Sequence, residues 1–512
     1  MSDFISADRL LEHTAILSSD AYEGRAPGTT GERLTVDYIA ARMREIGLQP
    51  VEVGGSYLQA VPLVGMRSLS EPLRCGPLGL LPGDEHVTWS RHPVPHVAVE
   101  ASSVVFVGYG AQASEYDWDD YKGVNLHGST VIVLVGDPPV PDPENPHRLD
   151  PAAFNGRALT YHGRWTAKME QAGARGAAAV FVVHDTDAAG YPFSVVQGRA
   201  AEHFDLRGAH PARCRVEGWL TPSAARRLFS QAGHDFDTLK RGARDRGFVP
   251  TDLGVKVSIS VSNAVRSVSS SNVVGVISGG DECVLYTAHW DHLGVGLPVD
   301  GDPVRHGARD NALAVASLLE TARVLSSVRG RSGRSFVFVA TTAEEQGLLG
   351  AEHHAAFPVF PLDRTAAVLN FEMPNPYGRT RDLIVYGRGL SELDDYAEHA
   401  AAEQGRVLAD DPMPEQGLYF RSDHFPFARG GVPAMWAGGG GDYIGREPGY
   451  GSRMQADYVA NRYHKPADRI TPDWDLTGAA EDAMVYVEMG RAIREAACMP
   501  RWKRGAGFSR GG

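Results

Sequence analysis

The sequence predicts an α/β fold in which a mostly parallel central sheet is flanked by helices and a β-rich domain is inserted. From Asn272 onward, apolar runs of strand length alternate with segments of helical composition, which is typical of a parallel sheet covered on both faces. From about Ser68 to Val261, short β-rich runs alternate with loops rich in proline, aspartate and glycine. With 512 residues, the chain is long enough for more than one domain. The expected units are an α/β domain over 1–67 and 262–500, an inserted domain over 68–261 and a flexible tail over 501–512.

Two helices are predicted ahead of the inserted domain. Ser6 is a suitable cap for a first helix that runs to about Leu17. Apolar residues then recur at helical spacing from Leu34 to Ile46 and stop at Gly47, a common C-terminal signal. The core that these helices need appears only later in the chain, so we interpret residues 68–261 as an insertion.

Strands are predicted in both domains from short apolar runs. In the inserted domain these runs are Ser103–Val107, Thr130–Val135 and Ala177–Val183. In the α/β domain they are Asn272–Ile277, Val284–Ala288, Phe336–Ala340 and Ala367–Phe371, with a helix predicted over Ala312–Val328.

Composition excludes several classes of partner. Acidic residues exceed basic ones by 63 to 50, which gives a net charge of −13, and no basic patch stands out, so nucleic acid is not an expected partner. The longest apolar runs are far shorter than a membrane span, and no membrane association is expected.

The four cysteines form no close pair, which argues against a disulfide framework. Because the N-terminus lacks a signal-peptide pattern, we expect a cytoplasmic protein, or a secreted one if a leader has been removed.

Candidate catalytic residues follow the predicted strands directly. His289-Trp290-Asp291 comes after one strand, Glu344-Glu345 after the next and Glu372 after a third. Because ligands bind outside the carboxyl ends of strands in open α/β sheets, we expect these side chains to meet at one edge. Asp310 precedes a predicted helix, and His464 lies in a polar segment further along.

Carboxylates that converge in this way repel one another and are costly to desolvate unless a cation neutralises them. Each residue taken alone has an ordinary structural explanation, such as a solvated first helical turn for the paired glutamates. Taken together, two imidazoles and three carboxylates suit two zinc ions, since zinc accepts both nitrogen and oxygen ligands.

These motifs resemble metallopeptidase family 28, which contains di-zinc aminopeptidases, glutamate carboxypeptidases, single-zinc glutaminyl cyclases and the non-catalytic transferrin receptor. The residues that resemble the family are His289-x-Asp291, Asp310-Asn311, Glu344-Glu345, Asn370-Phe371-Glu372, Tyr463-His464, Glu23–Gly28 and Arg421–His424. The β-rich stretch resembles the protease-associated domain that some members carry as an insertion. The resemblance implies a zinc exopeptidase fold.

The resemblance also implies a role for each site residue. Two zinc ions would be held by His289, Asp310, Glu345, Glu372 and His464. Asp310 would bridge both ions, with His289 and Glu372 on one and Glu345 and His464 on the other. This chain departs from the family at Glu372, where an aspartate is common, and the longer glutamate side chain would still ligate.

The remaining implied roles concern residues that do not bind metal. Asp291 would orient His289 through its second ring nitrogen, Glu344 would be the general base, and Tyr463 would donate to the developing oxyanion. His424 could support the site or be purely structural, and His292 is expected to be a loop residue.

The leading functional hypothesis is a di-zinc aminopeptidase that hydrolyses N-terminal peptide bonds. A carboxypeptidase, or an amidase acting on small acylated amines, is the first alternative, and Arg309 and Arg421 are the nearest candidates to bind a carboxylate. A non-catalytic binding module is the second alternative, although an intact ligand set argues against it. The expected partners are a peptide or small amide substrate, and an oligomer is compatible with the sequence.

Overall fold

The computed structural model describes residues 4–51, 54–197, 202–208, 212–327 and 332–510, in two compact units. The first unit comprises Met1–Pro62, Val268–Pro412 and Leu418–Gly512, and the second comprises Leu63–Ser267 and Met413–Gly417. The unit limits fall inside two long strands, Leu58–Ser70 and Thr251–Ile277, which also contain the predicted limits near residues 67 and 261.

The first unit is built on a mixed sheet with a parallel centre, which confirms the predicted fold class. Three parallel pairings set the central order as Ser335–Thr341, Cys283–His289, Thr365–Asn370 and Ala434–Gly439. The end of the long strand, Val273–Ile277, pairs antiparallel with Phe336–Ala340. The remaining strands of this unit are Gln49–Pro50, Asp382–Tyr386, Val407–Asp410 and a separate hairpin of Val295–Val299 with Asp302–Val304.

Helices cover this sheet, and one of them is wholly internal. Every residue of Leu313–Leu325 is buried, and this helix packs against Ala7–Leu17 and Thr477–Glu495. The helix predicted over 312–328 is therefore present in shorter form, and Val328 lies outside the described residues. The other α-helices of the unit are Thr30–Ile46, Leu349–Ala356, Leu393–Glu403, Phe425–Arg429 and Tyr450–Asn461. Short helical segments of other types occupy Asp20–Arg25, Ala308–Ala312, Leu362–Arg364 and Leu418–Arg421.

The two N-terminal helices have the caps that their sequences predict. The Ser6 side chain accepts a hydrogen bond from the amide of Arg9 at the start of the first helix. Thr29 caps Thr30–Ile46 in the same way, and this helix ends at Gly47, whose φ of 87° is easily adopted by glycine. The apolar faces of both helices lie in the core of the first unit.

The second unit contains more helix than its β-rich composition predicts. Its central strands are parallel, in the order His96–Phe106, Thr130–Leu134, Ala179–Val183 and Val216–Leu220. The antiparallel neighbours of this set are His86–Trp89 at one edge and Thr251–Ser262 at the other. Shorter strands are Leu73–Cys75, Leu78–Leu80, Gln112–Ala113, Trp118–Asp119 and His203–Leu206. Helices occupy Ser114–Tyr116, Tyr161–Gly163, Trp165–Ala174, Thr186–Ala189, Phe193–Gln197, Pro222–Gln231, Phe236–Gly242 and Pro414–Gln416.

The C-terminal segment, which the sequence predicts to be a flexible tail, packs onto the first unit as far as it is described. The indole of Trp502 donates to the carbonyl of Gly431, and the Arg510 guanidinium donates to the carbonyl of Ala366. Phe508 lies against Trp502 with ring centroids 4.8 Å apart. Aromatic side chains therefore anchor a segment that its glycine content alone would leave loose, while residues 511–512 lie outside the described part.

Within the described part of the chain, none of the helices is both long enough and apolar enough to cross a lipid bilayer. The cysteines Cys75, Cys214, Cys283 and Cys498 are all free thiols.

Candidate metal centre

The carboxyl ends of three adjacent parallel strands deliver the candidate ligands to one place. His289 is the last residue of its strand and pairs in register with Thr341, after which the chain turns through Ala343 into the two glutamates. On the other side, Thr287 pairs with Asn370, two residues before Glu372. The common direction of these strands explains why residues distant in sequence share one edge.

Asp310 lies between two imidazoles and presents one carboxylate oxygen to each. Its Oδ1 is 3.4 Å from Nε2 of His289, and its Oδ2 is 3.3 Å from Nε2 of His464. The same His289 nitrogen is 3.2 Å from Oε1 of Glu372, and the same His464 nitrogen is 3.2 Å from Oε2 of Glu345. The structure thus brings together all five residues predicted to bind metal, in two halves that share Asp310.

His292 also belongs to this cluster, although the sequence suggested only a loop residue. It is buried, and its Nδ1 lies 2.7 Å from Oε1 of Glu345. Its Nε2 is buried and has no hydrogen-bond partner among the described residues. Two sets of side chains have ligand atoms close enough to share an ion, namely His289 with Glu344 and Glu372, and His292 with Asp310 and Glu345. His292 lies three residues after His289, at the same strand exit, and this position is the sequence signal that could have identified it as part of the cluster.

Asp291 fixes the turn that carries the paired glutamates. Its Oδ1 accepts the amide of Glu344 at 3.0 Å and its Oδ2 accepts the amide of Glu345 at 3.4 Å. Nδ1 of His289 lies 3.0 Å from the backbone carbonyl of Asp291 and 3.7 Å from its carboxylate. The nearer partner of the ring is therefore the Asp291 backbone, and the carboxylate bonds mainly to the turn.

Glu372 is held by a chain of hydrogen bonds that starts in the sheet. Thr287 donates to Oδ1 of Asn370 at 2.7 Å, and Nδ2 of Asn370 donates to the hydroxyl of Ser422 at 2.6 Å. The Ser422 hydroxyl in turn donates to Oε2 of Glu372, so this serine orients a candidate ligand. His424, the predicted supporting residue two positions later, is buried against Tyr419 with ring centroids 4.6 Å apart, and none of its contacts in the described residues reaches a candidate ligand.

Asp310 is held by a second network, which involves Asp468. The two carboxylate oxygens of Asp468 accept the amides of Arg309 and Asp310, each at 3.1 Å. The hydroxyl of Tyr458 donates to the same carboxylate at 3.1 Å. Asp468 follows His464 by four residues, so one segment supplies both an imidazole to the cluster and a support for the central aspartate.

Arg25 ties together the loops that carry these ligands. Its guanidinium donates to the carbonyls of Trp290 at 2.8 Å, His306 at 2.7 Å and Gly307 at 2.9 Å, and also to Leu17 at 2.7 Å. The side chain is completely enclosed, with only 1% of the residue's surface exposed. Although burial lowers the pKa of Arg25 to about 10, the group stays charged at neutral pH, helped by the nearby carboxylates of Asp468 and Asp310.

The electrostatics of the cluster fit a cation. Burial works against charge at Glu345, but the imidazoles of His464 and His292 lower its pKa to about 2. Burial likewise opposes protonation of His464, yet the carboxylates of Glu345 and Asp310 raise its pKa to about 10. Positive charge on the imidazoles thus balances the carboxylates in this structure, and a bound cation would balance them in the same way. Zinc accepts a donor set of nitrogen and oxygen atoms of this kind.

Glu344 differs from its neighbour in its surroundings. Burial raises its pKa well above the usual value, and the charges of Glu372 and Glu345 raise it further against the effect of His289. Its nearest imidazole nitrogen, Nε2 of His289, is 3.9 Å away. A carboxylate with a raised pKa, one residue from a candidate ligand, is suited to accept a proton.

These groups line a cavity of about 50 Å³. Its other walls are formed by Met373, Leu418, Arg421, Ser422, Trp436 and Tyr463. The Tyr463 ring stacks on His464 with centroids 3.7 Å apart, and burial raises the pKa of its hydroxyl well above the usual value. Tyr463 therefore remains a neutral hydrogen-bond donor at the cavity.

Comparison with known proteins identifies the segment that contains this cluster. Residues 272–488 match the model of peptidase family M28. The aminopeptidase NAALADL1 of Mus musculus is 35% identical over 135 residues, which cover 25% of this chain and 17% of the mouse protein. The aminopeptidase YwaD of Bacillus subtilis (strain 168) is 27% identical over 214 residues, which cover 40% of this chain and 41% of YwaD.

The matched stretches span less than half the length of these curated relatives. A solved structure, of an aminopeptidase from Aneurinibacillus sp. strain AM-1, is 18% identical with a TM-score of 0.49, covering 98% of this chain and 95% of that one. The five candidate ligands, from His289 to His464, all lie inside the segment that matches the family model. The part of this chain that is similar to peptidase family M28 is therefore the part that carries the cluster.

Proposed function

We propose that the protein is a zinc-dependent exopeptidase that holds two zinc ions and releases N-terminal residues from peptides. The observation that carries this proposal is the position of Asp310, whose two oxygens face the imidazoles of His289 and His464. His289 and Glu372 would hold one ion, His464 and Glu345 would hold the other, and Asp310 would hold both. The aminopeptidase names of the relatives support the same assignment.

Zinc bound in such a pair polarises a peptide carbonyl and makes water a stronger nucleophile at neutral pH. Glu344 is placed to accept a proton from the attacking water and to return it to the leaving amine. Its backbone is fixed by Asp291, which restricts where the carboxylate can reach. Tyr463 supplies a neutral hydroxyl that can donate to the oxygen on which negative charge develops.

A free substrate amine needs an acidic partner, and of the four carboxylates that line the cavity we assign this role to Glu344 or Glu372. An aminopeptidase therefore requires an unblocked N-terminus. A carboxypeptidase or an amidase would accept a blocked one, and the presence of Arg421 in the same cavity keeps this second candidate open. Comparing hydrolysis of leucyl anilide with that of its N-acetylated form separates the two.

The deciding experiment is a matched pair of variants at adjacent positions. Glu344→Gln should keep the zinc content measured by elemental analysis and lower kcat by about 10²- to 10⁴-fold, the range that a general base contributes. Glu345→Gln should lower the zinc content itself. Full turnover by the Glu344 variant would refute its role as the base, and a wild-type protein that binds no zinc would support a non-catalytic binding module.

We propose in addition that the second unit is a protease-associated domain. Its position in the chain, between two segments of the first unit, supports this assignment. Deleting the second unit and measuring hydrolysis of short and long peptides would test whether it restricts substrate size.

A further inference from the structure

We infer that Arg421 and Trp436 form a subsite for a substrate carboxylate next to the metal centre. The inference rests on the proposed function and extends it to the class of substrate. Both residues line the cavity that contains Asp310, Glu344 and Glu372. Both carry hydrogen-bond donors, and within the described residues neither the Arg421 guanidinium nor the buried Trp436 indole N–H has an acceptor.

Arg421 is a half-buried cation with no anionic partner. Four carboxylates line the same cavity, yet none lies within 4 Å of its guanidinium, and none of the described residues hydrogen bonds to its side chain. An arginine in a protein commonly pairs its donors with carboxylates or carbonyls, and the guanidinium matches a carboxylate in a two-point geometry. A ligand that supplies a carboxylate would satisfy it.

Arg309, the other arginine considered for this task, is already engaged. It donates to the carbonyl of Pro374 and to Oε1 of Gln455, and its guanidinium lies 4.4 Å from the centre of the Tyr458 ring. It does not line the cavity around the metal centre. Arg421 is therefore the arginine that a substrate can reach.

Trp436 provides the second donor. Its ring is 4% exposed and stacks on Tyr386 with centroids 3.7 Å apart, which fixes its orientation. Its indole Nε1 is buried and lacks a hydrogen-bond partner among the described residues. Buried indole N–H groups usually find an acceptor, so an unused one in the wall of a cavity points to an acceptor on the ligand.

The balance of charge favours an acidic ligand once metal is bound. The lining carboxylates Asp310, Glu344, Glu345 and Glu372 carry at most four negative charges, which two divalent ions would balance. Arg421 then leaves the cavity with a surplus of positive charge. The carboxylate could be the side chain of an N-terminal glutamate or aspartate, or the C-terminus of a dipeptide.

Two matched pairs of substrates distinguish these sources. The side-chain pair is glutamyl anilide with glutaminyl anilide, and the C-terminal pair is leucyl-leucine with its amide. In each pair the members differ by one charge at nearly constant shape. The kcat/KM of the member with the carboxylate, divided by that of the member with the amide, therefore measures recognition of the carboxylate. We expect one of these ratios to exceed one in the wild-type protein.

In Arg421→Met, that ratio should fall by about 10- to 100-fold, the effect of removing a charge-assisted hydrogen bond. In Trp436→Phe, which keeps the stacked ring and removes only the N–H, it should fall by about 3- to 10-fold. Hydrolysis of the uncharged member is the reference within each variant, so a loss that affects both members equally cancels in the ratio. Arg388→Met is the control, because Arg388 lies at the surface of the same unit in an ion pair with Asp410.

The inference is overturned if both ratios are near one in the wild type, or if neither changes in Arg421→Met. Failure of the proposed function would look different, since no substrate of either pair would be hydrolysed. In that case, dissociation constants for leucyl-leucine and its amide, and for glutamate and glutamine, measured by calorimetry on the wild type and the Arg421 variant, test the subsite directly.

Discussion

Replacing Arg25 tests whether the metal centre depends on a single buried guanidinium far from it in sequence. Arg25 lies in an N-terminal segment, yet it donates to the carbonyl of Trp290 beside His289 and to that of Gly307 shortly before Asp310. The substitution Arg25→Met keeps much of the side-chain volume and removes every donor. We expect loss of both stability and metal affinity.

The magnitude follows from the four carbonyl groups that lose their donor. A buried acceptor left without a partner costs about 1–3 kcal/mol, so four of them cost about 4–12 kcal/mol if nothing relaxes. Entry of water and movement of the loops will reduce this sum, and we expect a loss near the lower limit of about 4 kcal/mol. Arg25→Lys should lose about half as much, because an ammonium has three donors and lacks the planar fork.

Urea unfolding measures the stability, and competition with a chromogenic chelator measures the zinc affinity. We expect the zinc affinity of Arg25→Met to fall at least about tenfold, as is usual when support for metal ligands is removed. Arg388→Met serves as the control and should change stability by less than about 1 kcal/mol, since its ion pair is exposed. An unchanged urea midpoint together with unchanged zinc affinity in Arg25→Met would refute the reasoning.

Three further predictions concern metal support, metal removal and pH. Ser422→Ala removes both the donor to Glu372 and the acceptor of Asn370, so it should weaken zinc binding by about 10- to 100-fold in a chelator competition and lower stability by about 1–3 kcal/mol; equal affinity would show that Ser422 does not orient the ligand. Stripping the wild type with a chelator should lower its melting temperature, since the metal binds only the folded site, and re-added zinc should restore it; a melting temperature that is insensitive to both treatments would contradict a metal site. Burial lowers the pKa of His354 in the folded protein to about 4. As the pH drops from about 6.5 to 4, this histidine is therefore protonated in the unfolded chain but not in the folded one, and the free energy of unfolding should fall by up to about 3 kcal/mol. His354→Gln should show a smaller loss in urea titrations across that range, and an identical slope would exclude this histidine as the cause.

The fold class and the convergence of the main candidate ligands could be predicted because both depend on patterns local to single strands. A parallel sheet brings the carboxyl ends of its strands to one edge, so residues that follow buried strands are expected to converge. His289 and Glu372 are the clearest cases, and their imidazole and carboxylate lie 3.2 Å apart. Prediction succeeded where position along a strand decides position in space.

The supporting residues could not be predicted because their roles depend on partners from other segments. Ser422 matters through Glu372, and His292 matters through Glu345. Nothing within a few residues of either one reveals the partner, since each contact spans about 50 positions. Trp436 is a further case, because an indole without an acceptor is recognised only when its surroundings are known.

The limits of the two units were also hidden from local patterns. Met413–Gly417 belongs to the second unit although its chain neighbours on both sides belong to the first. The contacts that place it there include the amide of Leu159, which donates to the carbonyl of Pro414 at 2.9 Å. Five residues with no apolar periodicity contain no signal that would assign them to a domain.

The different surroundings of Glu344 and Glu345 arise from one strained turn. Ala343, which leads into the pair, has a φ of 52°, a left-handed conformation that costs a non-glycine residue about 1–2 kcal/mol. Asp291 offsets that cost by accepting both glutamate amides with its two oxygens. The turn then directs Glu345 to His464 and His292, while the nearest imidazole nitrogen to Glu344 is Nε2 of His289 at 3.9 Å. A relaxed helical start would place the two carboxylates without this constraint, so the strain is part of what gives the proposed ligand and the proposed base different surroundings.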